Sequence, residues 1–213
     1  MERKTYYDAE PWYQREKTRD WYQQMETSNV AFKRKLAELI TAESIITEVA
    51  CGGGWLAEFI ATLRPKAYRG FDFAGTAAKN ASARLKHVEN FHFFEGDALS
   101  PASYSPDANL VVSHQFLHCL VGNDRFRWMA LVRESLEHNG GSFLLSSMIG
   151  LPDSLRGEVN EETKINRPGN RYYAEDEEIQ SELRAAGFQI AGILYPEPHV
   201  GIYQALPTPR PLR

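Results

Sequence analysis

The sequence predicts a doubly wound α/β fold, with a seven-stranded, mostly parallel sheet that contains one antiparallel strand. Three observations predict it. Strand-like and helix-like segments alternate from about residue 28 onward. A glycine-rich turn directly follows the first strand-like segment. The last two strand-like segments lie too close together for an intervening helix, which makes them an antiparallel pair.

Each element follows from its own pattern. Apolar residues at helical spacing predict a helix over 28–40, and the β-branched run IITEVA (45–50) predicts the first strand. Pro65 ends the helix that follows the glycine turn. The remaining strands are expected at 67–72, 91–97, 109–114, 142–147, 188–195 and 201–206, and the remaining helices at 76–86, 124–136 and 175–186.

Two of these helices carry specific side-chain expectations. Asp124 is the expected N-cap of the helix before strand five. The later helix should bury Ile179 and Leu183 and end at Gly187. The short connection 196–200, which contains proline, should join the last two strands. The buried face of the helix before strand five is expected to hold Phe126, Met129, Val132 and Leu136.

Composition restricts the class of protein. A chain of 213 residues that is 43% hydrophobic and 24% charged suits one domain. Its net charge of −4 and the absence of a basic run argue against a nucleic-acid partner. We expect a cytoplasmic protein with no membrane partner, since the N-terminus lacks an apolar signal segment. Cys51 and Cys119 fit neither a disulfide framework nor a metal pattern.

We divide the single domain, 1–213, into four parts. Residues 1–44 form an N-terminal helical cap, and 45–147 form the cofactor-binding core. Residues 148–174 are an insertion after strand five, of a length that suits an acceptor-binding lid. Residues 175–213 hold the last helix and the antiparallel strand pair.

Ligands in such sheets bind at the carboxyl ends of the strands, near the switch in strand order. Strand one ends in the turn CGGG (51–54), strand two in Asp72, and strand three in Asp97 and Ala98. Glycines let backbone N–H groups approach a ligand, and acids accept from ribose hydroxyls or from an exocyclic amino group. Together the three strand ends predict an adenosine site, although each alone has a purely structural explanation.

Several motifs resemble those of class I S-adenosylmethionine (SAM)-dependent methyltransferases. EVACGGG (48–54), GFD (70–72) and GDA (96–98) look like the first three motifs, and NLVVSHQFLHCL (109–120) looks like the segment after strand four. HNGGSFLL (138–145) is similar to the turn into strand five. The resemblance covers 45–147, with 171–188 similar to the last helix, and is closest to small-molecule enzymes of bacterial secondary metabolism. Ala50 stands where glycine is commoner, and it fits if its φ is negative.

The resemblance implies a role for each matching residue. Gly52 and Gly54 would approach the methionine part of SAM, with Glu48 near its ammonium group. Asp72 would accept from the ribose hydroxyls. The remaining cofactor residues would be Ala50 in the turn, Phe73 and Ala98 against the adenine, Asp97 on its amino group, and His114 beside the methionine.

Two other functions remain open at this point. Residues 52–57 also fit the dinucleotide pattern G-x-G-x-x-G/A, and Asp72 lies at a suitable distance for it, as in an NAD(P)-dependent oxidoreductase. Glu48 argues against that assignment, because an acid is unfavourable beside a pyrophosphate. A non-catalytic SAM-binding partner module is the other alternative.

Candidate catalytic residues follow strand four. If this segment turns into helix, His114 and His118 share a face, and either could act as general base. A base is needed only for an acceptor with a high pKa. The region has no acidic cluster suited to Mg²⁺, so we expect a metal-independent reaction.

The acceptor is expected to be a small molecule. Aromatic residues of the N-terminal cap, including Tyr7 and Tyr13, and the insertion residues Arg171, Tyr172 and Tyr173 are the candidate acceptor-binding side chains. We expect a monomer or homodimer.

Overall fold

The computed structural model describes residues 26–152, 159–160, 163–166 and 171–209. Its helices are α1 (Glu26–Leu39), α2 (Trp55–Thr62), α3 (Gly75–Arg84), α4 (Asn123–Leu136) and α5 (Asp176–Ala185). Its strands are β1 (Ile45–Val49), β2 (Ala67–Asp72), β3 (Phe91–Glu95), β4 (Leu110–His114), β5 (Ser142–Met148), β6 (Val159–Asn160), β7 (Ile165–Asn166), β8 (Arg171–Tyr172), β9 (Phe188–Glu197) and β10 (Val200–Pro207). Two 3₁₀ helices cover Pro101–Ser103 and Leu117–Cys119.

The main sheet has seven strands in the order β3-β2-β1-β4-β5-β10-β9. β1 pairs in parallel with both β2 and β4, so the strand order reverses beside β1. β10 runs antiparallel to both of its neighbours. The predicted doubly wound sheet with one antiparallel strand is confirmed. The switch in strand order places any ligand at the carboxyl ends of β1 and β4.

Two apolar cores cover the faces of this sheet. On one face, α4 and α5 bury Trp128, Val132 and Leu183 against β4, β5 and β10. On the other face, α1 and α2 bury Phe32 and Ile60 against the strands. The insertion adds a separate three-stranded sheet in the order β6-β7-β8.

The N-terminal part of α4 differs from the prediction. The helix begins at Asn123 after Gly122, so Asp124 lies in its first turn, where the carboxylate accepts from Arg127 at 3.2 Å. Asp124 is therefore not the N-cap. Phe126 is 43% exposed, and Trp128 is the aromatic residue that the helix buries. The prediction that α4 buries Phe126 is wrong, whereas its burial of Met129, Val132 and Leu136 is confirmed.

The C-terminal part follows the prediction closely. Ile179 and Leu183 are fully buried on α5, and Gly187 adopts φ +90° just after the helix. The connection between β9 and β10 is shorter than expected, because both strands extend to leave only Pro198 and His199 between them. Among the described residues, none of the helices has the length and apolarity needed to cross a bilayer.

A buried ion pair joins α4, α5 and the 3₁₀ helix Leu117–Cys119. The Arg125 guanidinium, 2% exposed, donates two hydrogen bonds of 2.7 Å to the two carboxylate oxygens of Glu182. A third bond, 2.9 Å long, goes to the carbonyl of Leu117. A bidentate pair of this kind fixes geometry as well as charge.

Removal of the carboxylate should be costly, because it leaves a buried guanidinium without its counter-charge. We predict that Glu182→Ala lowers the free energy of unfolding by about 3 kcal/mol, measured by urea denaturation. Arg127→Ala removes one partner of an exposed ion pair within α4. This variant should change the free energy of unfolding by less than about 0.5 kcal/mol. Equal effects of the two substitutions would contradict the account.

Candidate functional site

The turn after β1 has three residues in the left-handed region. Ala50, Gly52 and Gly54 have φ of +56°, +54° and +81°. The negative φ expected for Ala50 is therefore wrong. A side chain is tolerated at this position at the cost of left-handed strain, about 1–2 kcal/mol for an L-residue.

Gly54 is restricted by space as well as by conformation. A Cβ atom at this position would lie 3.0 Å from Cα and Cβ of Ala81 on α3. The close approach of α3 continues at Arg84, which donates to the Gly53 carbonyl at 2.9 Å and stacks on the Trp55 ring at 3.3 Å. Helix α3 therefore holds the glycine turn from one side.

Asp72, at the end of β2, holds the turn from the other side. One carboxylate oxygen accepts from the backbone N–H of Gly52 at 3.0 Å, and the other accepts from the N–H of Ala74 at 2.9 Å. The side chain is only 5% exposed. The predicted convergence of Asp72 and the glycine turn is thus a direct hydrogen bond.

A cavity of about 430 Å³, which includes space open to solvent, lies where the first three strands end. Ala50, Phe73, Asp97 and Ala98 line it, so four of the residues predicted to bind cofactor share one space. Asp97 also caps its own turn by accepting from the Leu99 N–H at 2.9 Å. Other walls come from residues that the sequence analysis did not assign: Phe71, Gly96, Leu99, Phe116, Cys119 and Leu120.

Glu48 lies outside the lining of this cavity. It is 3% exposed and accepts a 2.6 Å hydrogen bond from the Tyr68 hydroxyl, whose ring stacks on Phe91. Burial raises the pKa of Glu48 to about 8, against the opposing effect of the Tyr68 bond and with a smaller rise from Asp72. Near neutral pH, Glu48 holds a proton in the cofactor-free protein.

The segment after β4 does not continue as an α-helix. Gln115 has φ +58°, and its N–H donates to the Ser146 carbonyl. Because this reversal separates His114 on β4 from His118 in the 3₁₀ helix, the expected shared helical face is wrong. The same turn directs Phe116, Cys119 and Leu120 into the cavity wall, and their i, i+3, i+4 spacing is the signal that could have identified them.

Both histidines are buried. His114 is 7% exposed and meets the Phe32 ring edge-on, with centroids 4.8 Å apart. Burial lowers the pKa of each imidazole to about 3, with Lys33 adding to the effect at His114 and Arg171 and Arg125 at His118. Each is therefore a neutral imidazole near pH 7, and its role as a base stays a prediction.

The candidate acceptor residues occupy different environments. The Tyr172 hydroxyl donates to Glu178, and its ring lies 4.7 Å from the Arg125 guanidinium. Tyr173 is 3% exposed, whereas Arg171 is exposed. Tyr7 and Tyr13 lie outside the described residues. No group of three or more potential metal ligands occurs in the part of the chain that the structure describes.

The sheet order, the glycine turn and the cavity together define a class I methyltransferase fold, and comparison with known proteins agrees. Residues 47–142 match a family model described as a methyltransferase domain. No curated protein matches the sequence.

Solved structures show the same fold at low identity. The DhpI–S-adenosylhomocysteine (SAH) complex has a TM-score of 0.69 and 17% identity, with 97% of this chain and 95% of that chain covered. Magnesium protoporphyrin IX methyltransferase from Synechocystis PCC 6803, solved with bound SAM, has a TM-score of 0.62 and 16% identity over 88% of this chain and 80% of that one. A structure described as converting a disulfide bond into a thioacetal group during echinomycin biosynthesis has a TM-score of 0.63 and 19% identity over 85% and 81%.

The chain therefore contains a region, residues 47–142, that matches a methyltransferase domain, and it shares its fold with solved methyltransferase structures.

Strain at Ala50 leads to a stability prediction. Ala50→Gly should raise the free energy of unfolding by about 1 kcal/mol, because glycine accepts a positive φ without steric cost. Ala130→Gly makes the same chemical change inside α4 and should lower it by about 1 kcal/mol. The measurement is urea denaturation of both variants. A loss of stability in Ala50→Gly would contradict the assigned backbone conformation.

Burial of Glu48 leads to a pH prediction for the cofactor-free protein. Between its ordinary pKa of 4.5 and its folded pKa of about 8, the unfolded chain releases a proton that the native state retains. This group therefore makes stability fall as pH rises through that window. Glu48→Gln should remove this decline, and Glu89→Gln on the surface should keep it. Parallel stability–pH profiles for wild type and Glu48→Gln would show that Glu48 is not responsible.

Proposed function

We propose that the protein transfers a methyl group from SAM to an oxygen or nitrogen of a small-molecule acceptor. The main support for the proposal is that the residues following β1, β2 and β3 lie side by side. The glycine turn, Asp72 and the cavity bounded by Phe73, Asp97 and Ala98 lie together at the switch in strand order.

The cavity suits the adenine ring. Its walls are mainly apolar, with Phe71, Phe73 and Phe116 as the aromatic members beside the small Ala98. Asp97 supplies an acceptor for the exocyclic amino group, which an otherwise apolar pocket needs for orientation. The polarity of the cavity therefore suits a purine.

The ribose and methionine parts would follow the turn. Each carboxylate oxygen of Asp72 already accepts one backbone hydrogen bond and retains lone-pair capacity for a ribose hydroxyl. Gly52 and Gly54 allow close approach of the backbone. Glu48 would meet the ammonium group after it gives up its proton, and His114 would lie beside the methionine.

SAM supplies the electrophile, a methyl group on a positively charged sulfur. The chain's own residues hold the acceptor in line and exclude water. A neutral His118 or His114 could accept the proton of a hydroxyl or amine, but a pKa of about 3 makes either a weak base. We therefore expect positioning to contribute more than proton abstraction.

The small-molecule assignment has two supports. The similar structures include a magnesium protoporphyrin IX methyltransferase and a protein of echinomycin biosynthesis. The formal charge of −4 is also unfavourable for a phosphate-tracking surface. These observations favour a metabolite, and secondary metabolism in particular.

Calorimetry with SAH tests cofactor recognition. We predict that Asp97→Ala and Asp72→Asn each weaken SAH binding by about tenfold or more, since each removes a charge-assisted acceptor. Asp107→Ala changes an exposed acid away from the cavity and should bind like wild type. Circular dichroism of each variant checks that Asp72→Asn still folds.

The same titrations separate the alternatives. Tight binding of NADH with none of SAH would favour an oxidoreductase and overturn the proposal. Binding of SAH and SAM without methyl transfer to any compound in a broad acceptor panel would favour a partner module.

A further inference from the structure

The insertion packs against the 3₁₀ helix that forms one wall of the cavity. Strand β8 packs against the 3₁₀ helix Leu117–Cys119, and Cys119 lines the cavity. Arg171 begins β8, directly before Tyr172, whose ring and hydroxyl are held by Arg125 and Glu178. The backbone at Arg171 is thereby fixed beside the cavity.

The positive charges around this point differ in their partners. Arg125 is neutralised by Glu182, and Lys164 is neutralised by Glu178 at 2.8 Å. Arg171 makes no ion pair with any residue that the structure describes. Among these three described cations, Arg171 is thus the one without a carboxylate partner, and its side chain is exposed and free to meet a ligand.

Strand β8, which begins at Arg171, contacts the 3₁₀ helix that holds His118 and Cys119. The charge of Arg171 agrees with this packing: burial lowers the pKa of His118 and Arg171 adds to that effect, whereas at Cys119 burial raises the pKa of the thiol to about 11 and Arg171 opposes the rise.

His118 supplies a second donor. Its side chain is 4% exposed, and its buried Nδ1 atom has no hydrogen-bond partner within the described part of the chain. A buried polar atom without a partner is unfavourable, and such atoms in native structures commonly await a ligand or water. In the tautomer with hydrogen on Nδ1, the neutral imidazole donates.

We propose that the acceptor carries an anionic oxygen group, a carboxylate or phosphate, that binds between Arg171 and His118. The inference rests on the proposed methyl transfer and specifies the class of its substrate. Arg171 would donate a charge-assisted bond from the guanidinium, and His118 would donate from Nδ1. An anion would gain a charge-assisted hydrogen bond from Arg171 that a neutral acceptor cannot make with equal strength, so an anion fits the site better.

The test uses three probes of similar shape on SAH-loaded protein: benzoate, phenyl phosphate and the neutral benzamide. Affinities are measured by calorimetry, and ¹⁵N NMR shifts of the His118 imidazole report contact at Nδ1. The variants are Arg171→Gln and Arg171→Lys, with Arg127→Gln as a matched charge-removing control on an exposed arginine of α4.

We expect at least one anion to bind about tenfold or more tightly than benzamide and to shift the His118 signals. That preference should disappear in Arg171→Gln, persist in part in Arg171→Lys, and remain whole in Arg127→Gln. The tighter of benzoate and phenyl phosphate identifies the preferred anion.

Three results would overturn the inference: no anion binding to wild type, equal affinity for benzamide, or undiminished binding in Arg171→Gln. Binding of SAH in the same samples distinguishes failure of the anion site from failure of the proposed methyl transfer. Intact SAH binding without an anion preference removes this inference alone, whereas failure to bind SAH removes the proposed function.

Discussion

The carboxylate of Asp72 links β2 to the turn that follows β1. It accepts one backbone N–H from Gly52 and one from Ala74, so a single side chain sets the path of both loops. Together with the contact of α3 at Gly53 and Gly54, this bridge holds the left-handed residues Ala50, Gly52 and Gly54 in place. The shape of the candidate cofactor site follows from this interaction, because the turn and Asp72 stand where the strand order reverses.

A second network connects the candidate cofactor site to the insertion. Arg125 binds Glu182 and the Leu117 carbonyl and lies against Tyr172. The 3₁₀ helix that forms one cavity wall is therefore fixed to both α5 and β8. The same short helix contributes Cys119 to the cavity wall and His118 to the proposed acceptor site, so the Arg125 network would position both.

The sequence was most informative where local pattern and tertiary structure agree. β2 was predicted with its exact bounds, and Asp72 and Asp97 were placed at strand ends by motif spacing. It was less informative where tertiary packing decides: the positive φ of Ala50 comes from hydrogen bonds across the sheet, and the reversal at Gln115 depends on the distant Ser146. In α4, Phe126 is exposed and Trp128 is buried. Spacing alone could not decide which of these two aromatic residues, two positions apart, faces the core.

The central claim is that the glycine turn, Asp72 and the cavity beside Asp97 bind one nucleoside with an amino-acid tail. A crystal structure of the protein with SAH tests it most directly. The account predicts adenine between Phe73 and Ala98, ribose hydroxyls on Asp72, and the amino-acid tail along Gly52 and Gly54. Density for SAH elsewhere, or an adenine that contacts neither Phe73 nor Asp97, would contradict it.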